Sequence, residues 1–267
     1  MSGIKGCRVM VGAALLFLCL ALQVHALPIL PAAPGILGIR VGDKVLFATA
    51  EAIETQYVYK FGEKVVLSVQ KTRCSNDAEQ GIVSCEQIKD GKPHSNATII
   101  LNAEGNVVDL SVQDAVTGRI QRSKFKYNEQ QKMVEAEFFS HSGEISWFIA
   151  MTYTGQDDEL RQCLVYNGDG KKFVRYEDQL DVKGNTVLSK TYDMAGHLIS
   201  TTGTINEYDE KGNLVRIETR APKDHTIEVM QHDDQHYVVT YEKYEVLHKF
   251  DMVQEQLVGS TTITYTF

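Results

Sequence analysis

The side chains best suited to chemistry lie in one short stretch, His232-Asp233-Asp234-Gln235-His236. Neutral imidazoles and carboxylates are ligands for zinc and similar divalent ions. If the flanking stretches pair as strands, His232, Asp234 and His236 surround one turn and are the candidate metal ligands. The same composition is typical of a solvated hairpin tip, which is the simpler interpretation. We therefore expect neither a resident metal nor a cofactor.

No other group of residues predicts catalysis. The chain has no nucleophile elbow, zinc-protease histidine pair or phosphate-binding glycine loop. The acidic stretch 157–159 follows Gly155 and is typical of a charged turn. Cys163 is a lone cysteine without a nearby histidine, so nothing activates its thiol. We expect Cys163 to be a buried free thiol and the protein to be non-enzymatic.

The N-terminus has the layout of a secretory signal peptide. Lys5 and Arg8 precede an almost unbroken apolar run over 9–22, and small residues near Ala26 offer a cleavage point. The run is shorter than the roughly 20 residues that a spanning helix needs. We expect residues 1–26 to be removed, leaving no transmembrane helix and a chain exported to the periplasm, cell surface or extracellular space.

Composition limits the partners. Lys and Arg number 27 against 35 Asp and Glu, and the net charge of −8 argues against nucleic acid. Hydrophobic residues at 43% and charged residues at 23% are ordinary for a soluble globular protein. A protein, carbohydrate or lipid ligand remains open. Asn96 begins a glycosylation sequon that matters only in a eukaryotic source.

Export makes a disulfide between Cys74 and Cys85 the economical pairing, because exported thiols meet an oxidising environment. The ten residues between them are polar and contain Gly81, while the flanking stretches alternate like strands. The bond would therefore join the two arms of one hairpin. A loop of this length is worth about 2–3 kcal/mol in the chain-entropy model.

The rest of the chain predicts strands. Residues 27–37 hold three of the five prolines and form an extended entry segment, and residues 46–57 have weak helical spacing. From about residue 62 onward, short alternating strands are separated by turns. We predict an all-β antiparallel β-meander over 38–267. Its repeated hairpins form an open, curved or half-barrel sheet, with at most one or two short helices near the N-terminus.

A turn motif recurs between the strands, with Asp or Asn first and Gly fourth. The clearest copies are Asp193 with Gly196 and Asp209 with Gly212, each after a tyrosine. The acid caps a type I turn, and the glycine takes the left-handed conformation that closes a bulged hairpin. Weaker copies begin at Asn102, Asn128, Asn167 and Asp181.

Residues 191–214 resemble the YD-repeat (Rhs-like) family, with strong coverage over 184–220 and echoes from about residue 100. The resemblance implies an exported β-sheet protein that acts in surface contact, carbohydrate binding or toxin encapsulation. This array is short and has no toxin-like domain. Encapsulation in a closed shell is therefore not expected.

Three functions follow in order of preference. The first is a non-enzymatic β-repeat protein with a binding or structural role at the cell envelope or outside the cell. The second is a periplasmic carrier that holds a lipid or lipoprotein acyl chain in a curved sheet with a deep apolar cavity. The third is a small outer-membrane β-barrel, suggested by the alternation of Ile263, Tyr265 and Phe267. It ranks last because several strands carry charge on both faces.

Overall fold

The computed structural model describes residues 39–266, apart from short stretches at 42–43, 47–49, 61–62, 78, 223, 235 and 250–251. The predicted signal peptide (1–26) and the Pro-rich segment (27–37) lie outside the described residues, so both remain predictions. No described helix has the length and apolar character needed to cross a bilayer.

Antiparallel strands account for almost the whole described chain. Strands β1 (Ile39–Val41) and β2 (Lys44–Leu46) form a separate two-stranded sheet. The other sixteen form one closed barrel, in which each strand pairs with the next in sequence and the last pairs with the first. These are β3 (Ala50–Lys60), β4 (Glu63–Asp77), β5 (Ile82–Lys89), β6 (Lys92–Leu101), β7 (Val107–Asp114), β8 (Ile120–Tyr127), β9 (Met133–Phe139), β10 (Ile145–Thr154), β11 (Leu160–Asn167), β12 (Lys172–Leu180), β13 (Thr186–Tyr192), β14 (Leu198–Tyr208), β15 (Leu214–Arg220), β16 (His225–His232), β17 (Val238–Lys249) and β18 (Met252–Thr266).

The all-β antiparallel prediction is confirmed, but the predicted open or half-barrel sheet is wrong. Strand β18 runs antiparallel to β3 from Ser260 opposite Tyr57 to Thr266 opposite Glu51. This ladder leaves no free edge in the barrel, and closure is one way for a sheet to avoid exposed edges. Closure pairs the first barrel strand with the last, which are far apart in the sequence, so no local sequence pattern could predict it.

The predicted helix over 46–57 is also wrong. Residues Ala50–Lys60 form strand β3, in which Ala52 and Glu54 are buried while Ile53 between them is 37% exposed. This alternation has the period of a strand and pairs on both sides, with β4 and β18. The one helical element in the described chain is a short 3₁₀ turn at Gln156–Asp158.

Each strand directs alternate residues into the barrel. Strands β5 to β12 contribute a continuous apolar core, in which Val83, Ile99, Ala136 and Val165 are fully buried. The opposite face carries cross-strand charge pairs such as Arg122 with Asp109. The core therefore lies inside the barrel, and the charged face forms its outer wall.

Candidate functional site

The hairpin turns alternate between the two ends of the barrel, and the two ends differ in chemistry. At one end, side chains link neighbouring turns, and we call it the laced end. It comprises the turns at 102–105, 128–131, 155–159, 181–184, 209–212 and 233–236. The other, the apolar end, is defined by the turns at 115–118, 140–143, 167–170, 193–196 and 221–224.

The predicted turn residues share one hydrogen-bond pattern. At Asp193, the Gly196 N–H donates to the Asp193 carbonyl at 3.1 Å, and the His197 N–H donates to Asp193 Oδ1 at 2.8 Å. Gly196 has φ of 86°, where a Cβ is unfavourable. Asp209 and Gly212 repeat this arrangement, with φ of 83° at Gly212. The same backbone pattern begins at Asn102, Asn128, Ser140, Asn167, Asp181 and Asp233.

Tyrosines fasten neighbouring hairpins at the laced end. The hydroxyl of Tyr127 donates to the Val107 carbonyl at 2.9 Å, and that of Tyr153 donates to the Met133 carbonyl at 2.9 Å. Each acceptor is the first strand residue after the preceding turn. Burial raises the pKa of Tyr153 to about 12. The hydroxyl stays protonated and keeps donating.

Side chains also join one turn to the next at this end. The Tyr208 hydroxyl donates to Asp181 Oδ2 at 2.7 Å, and Asn206 Nδ2 donates to the same oxygen at 3.1 Å. Further links connect Asn106 to Gln131, Lys132 to Asp158, and Lys211 to Asp234. A groove of about 560 Å³ lies between the turns at 181–184 and 209–212. Because these side chains are already paired, they hold the end together.

The candidate metal ligands lie at the laced end without forming a metal site. Asp234 pairs with Lys211 at 3.2 Å, and His236 Nδ1 lies 2.8 Å from Asn213 Oδ1. His232 is half-buried, and burial lowers the pKa of its imidazole. In the described chain, no three histidine, cysteine or acidic side chains are placed to hold a metal ion.

An ion pair lies inside the barrel near the laced end. Arg161 donates to Asp178 Oδ2 through Nε at 3.0 Å and Nη2 at 2.8 Å, with the side chains 3% and 4% exposed. Nη2 also donates to Thr186 Oγ1 at 3.1 Å. Cys163 is free and fully buried, and burial raises its pKa to about 12. The thiol is therefore unsuited to nucleophilic chemistry.

The predicted disulfide is confirmed. Cys74 and Cys85 are bonded and face each other across the β4–β5 hairpin. The bond lies near the laced end. Asn96, which begins the sequon, is exposed on β6.

The barrel interior is unevenly packed. Strands β5 to β12 supply the buried apolar core, whereas no residue of β13 or β14 is buried. The inward-facing side chains of these two strands are small and hydroxylated, including Ser189, Thr191, Thr202 and Thr204. The interior therefore has one apolar wall and one polar wall.

A cavity of about 700 Å³ lies at the apolar end beside β15, β16 and the β17–β18 hairpin. Ile227, Val246 and Val253 form its apolar side. Its polar side centres on Glu218, which accepts hydrogen bonds from Arg220 Nε at 2.7 Å and from Arg216 Nη1 at 3.1 Å. Arg220 Nη2 and His225 Nε2 lie 2.6 Å and 2.9 Å from Glu218 Oε1. Burial alone would raise the pKa of Glu218, but these hydrogen bonds lower it to about 2.

Sequence reasoning missed the Arg161–Asp178 pair and the Glu218 cluster. The residues of the first are 17 apart in the chain and meet only through the register of β11 and β12. It also missed the turn at Ser140, which has neither Asp nor Asn first. The hairpin tip predicted at 232–236 is present, as a turn that begins at Asp233 and has His236 at φ of 71° in place of glycine.

Comparisons with known proteins give limited guidance. No protein-family model matches the chain, including any for YD repeats, and no curated protein is significantly similar in sequence. Among solved structures, a porin-like protein from Bacteroides uniformis is 10% identical with a TM-score of 0.36, covering 80% of this chain and 97% of its own.

Two further solved structures are similar at lower TM-scores. A DUF1329 family protein from Desulfovibrio piger is 9% identical with a TM-score of 0.24, covering 81% of this chain and 83% of its own. A domain proposed to be an outer membrane lipoprotein-sorting protein from Vibrio parahaemolyticus is 10% identical with a TM-score of 0.24, covering 82% and 83%. Similarity this low carries no functional argument.

Proposed function

We propose that the protein is an exported, non-enzymatic β-barrel of the cell envelope that has a binding or structural role and keeps its outer wall in water. The charged outer wall is the observation that carries this proposal. Ion pairs lie on widely separated strands: Arg73 with Glu51, Arg122 with Asp109, Lys126 with Glu135, and Arg216 with Glu207.

A charged wall favours water over lipid as its surroundings. Placing Lys or Arg on the lipid face of a barrel costs about 2–4 kcal/mol each near the bilayer midplane. The side chains of Arg73, Arg122 and Lys126 are 56%, 50% and 64% exposed. In water such pairs cost little and keep the wall soluble. This observation disfavours the integral outer-membrane barrel.

The interior chemistry supports a non-enzymatic role. The Arg161–Asp178 pair is internally satisfied and closed to solvent, and the raised pKa of Cys163 removes the nearest nucleophile. A catalytic acid or base must reach a substrate, and these groups do not. We therefore infer that the protein acts by binding at its surfaces and cavities and not by catalysis.

The proposal is tested by expressing the full sequence in a bacterium with an envelope and fractionating the cells. We expect the chain in the exported fraction, released without detergent by a carbonate wash of the membranes. Detergent-free chain should remain folded by circular dichroism. Recovery of folded protein only with detergent would overturn the water-facing wall, and full-length chain in the cytosol would overturn export.

The amphipathic cavity at the apolar end favours a second candidate, a carrier of an acyl-chain carboxylate. Arg220 is 61% exposed and could offer its remaining N–H groups to a carboxylate, while Ile227 and Val246 would contact the chain. Calorimetric titration with dodecanoate tests this role. We expect Arg220→Gln to weaken binding about tenfold, the loss of one charge-assisted contact. An unchanged affinity, or no binding by the native protein, would contradict it.

A further inference from the structure

The exposed apolar side chains of the barrel gather at one end. Most of the large ones lie in the turns and adjoining strand residues of the apolar end and follow its circumference from β4 round to β18. Their positions are Val65, Val66, Leu67, Val116, Ile120, Ile145, Phe173, Met194, Leu198, Ile199 and Val253. Val116 is 84% exposed and Met194 is 62% exposed. Exposed apolar side chains gathered at one end of a molecule indicate an interaction surface.

Basic side chains stand beside these apolar residues. The adjacent pairs are Lys64-Val65, Arg119-Ile120 and Lys172-Phe173. No carboxylate of the described chain forms an ion pair with these three basic residues, whereas Arg73 and Arg122 on the outer wall are both paired. Lys64 Nζ instead lies 4.1 Å from the centroid of the Tyr57 ring. Cations without a carboxylate partner next to apolar side chains are typical of surfaces that meet lipid headgroups.

Several carboxylates at the same end are engaged in their own turns. Asp114 accepts hydrogen bonds from the backbone and hydroxyl of Thr117, and Asp193 accepts from His197; these contacts lower the pKa of both carboxyls. Glu144 and Asp169 also lie at this end and oppose a purely electrostatic attraction. Burial of the apolar side chains must therefore supply most of the binding free energy.

We propose that the apolar end docks on the surface of a phospholipid bilayer. Its apolar side chains would enter the boundary between headgroups and acyl chains, with Lys64, Arg119 and Lys172 at the level of the phosphates. This inference rests on the proposed water-facing barrel, because only such a barrel presents one end to a membrane. A flat bilayer can contact apolar side chains around the whole circumference at once.

A second copy of the chain fits this end less well. Pairing through a twofold axis would place the same end of each copy face to face. The basic side chains of both copies would then gather around one interface, where Asp114 and Asp193 are committed to their own turns and Glu144 and Asp169 offset only part of the positive charge. A bilayer instead supplies both an apolar layer and anionic phosphates.

The test is flotation of the purified chain, expressed from its full sequence, with vesicles of phosphatidylcholine and phosphatidylglycerol in equal parts. We expect the native protein to float with the vesicles. The triple variant Val116→Ser, Met194→Ser and Ile199→Ser should partition roughly 100-fold more weakly, because three exposed apolar side chains no longer enter the bilayer. Arg119→Gln with Lys172→Gln should lose about fivefold per cation on these vesicles but nothing on pure phosphatidylcholine.

The matched control is Val182→Ser at the laced end, where Val182 is fully exposed. It should bind vesicles like the native protein, and circular dichroism should show all variants folded. A native protein that stays unbound, or an equal loss in the control, would overturn bilayer docking. So would a dimer in analytical ultracentrifugation that the triple variant abolishes. Failure to float leaves the water-facing barrel intact, because detergent-free solubility tests that separately.

Discussion

The two ends of the barrel are built from the same hairpins but are stabilised differently. At the laced end, tyrosine hydroxyls, side-chain links between turns, the Cys74–Cys85 disulfide and the Arg161–Asp178 pair tie neighbouring strands together. At the apolar end, turns such as 193–196 are capped internally and carry exposed side chains such as Met194. The contacts at the laced end stabilise the barrel. The apolar end can therefore expose apolar side chains without the barrel losing its stability.

The largest expected effect concerns the ion pair at the laced end. Asp178→Ala leaves Arg161 buried without a counter-charge, and we expect the free energy of unfolding to fall by about 3–5 kcal/mol. Urea denaturation monitored by tryptophan fluorescence measures the loss. The matched variant at the apolar end is Asp193→Ala, whose side chain is 41% exposed. It should cost far less, and equal losses would break the comparison.

The disulfide gives the next effect. Replacing both Cys74 and Cys85 by serine should lower the free energy of unfolding by about 3 kcal/mol, because the unfolded chain regains the entropy of an open loop. Urea denaturation under non-reducing conditions measures it. Reducing agent should lower the native protein to the same midpoint and leave the variant unchanged. A variant as stable as the oxidised native protein would show that the bond is dispensable.

The tyrosine contacts sharpen the comparison on a smaller scale. Tyr208→Phe removes the hydroxyl that donates to Asp181, and we expect a loss of about 1–2 kcal/mol in unfolding free energy. Tyr192→Phe is the control, since Tyr192 at the apolar end donates to Glu177, whose side chain is 40% exposed. Thermal unfolding should separate the two variants. If the two variants lower the unfolding midpoint equally, the tyrosine contacts at the laced end contribute no more to stability than those at the apolar end.

The smallest effect concerns acid at the apolar end. The pKa of Glu218 is lowered from 4.5 to about 2, so its stabilising contribution is complete above about pH 4.5 and is lost as pH falls toward 2. We expect the stability difference between the native protein and Glu218→Gln to shrink over that window. Because Arg220 is 61% exposed, solvent screens the contact. A difference that stays constant from pH 5 to about pH 2 would contradict the assignment.

Local chemistry explains which parts of the fold were predictable from sequence. The turns at Asp193 and Asp209 depend on a capping carboxylate and on Gly196 and Gly212, and both requirements are visible in four residues. The Cys74–Cys85 bond followed from hairpin spacing. The spacing of apolar residues over 46–57 predicted a helix, which was wrong. A single segment cannot show that it pairs with the next strand, β4, and with the last strand, β18.

The site features needed knowledge of register and handedness. The Arg161–Asp178 pair meets across β11 and β12, whose register a bulge shifts. The Glu218 cluster joins alternate residues of β15 to His225 on β16. The apolar end was within reach, however. Successive hairpin turns must alternate between ends, so a count of strands alone places Val116, Met194 and Val253 together. That count requires correct strand assignments, including β3.

The ladder of nearest neighbours has a consequence for how the chain acquires its shape. Every pairing in the barrel is between consecutive strands except that of β18 with β3, so hairpins can form in order along the chain. Only the seam between Tyr57 and Ser260 must await the final segment. Joining the two ends of the barrel sequence and opening a different turn would move that seam without altering any ladder, so a circular permutant should retain the same architecture.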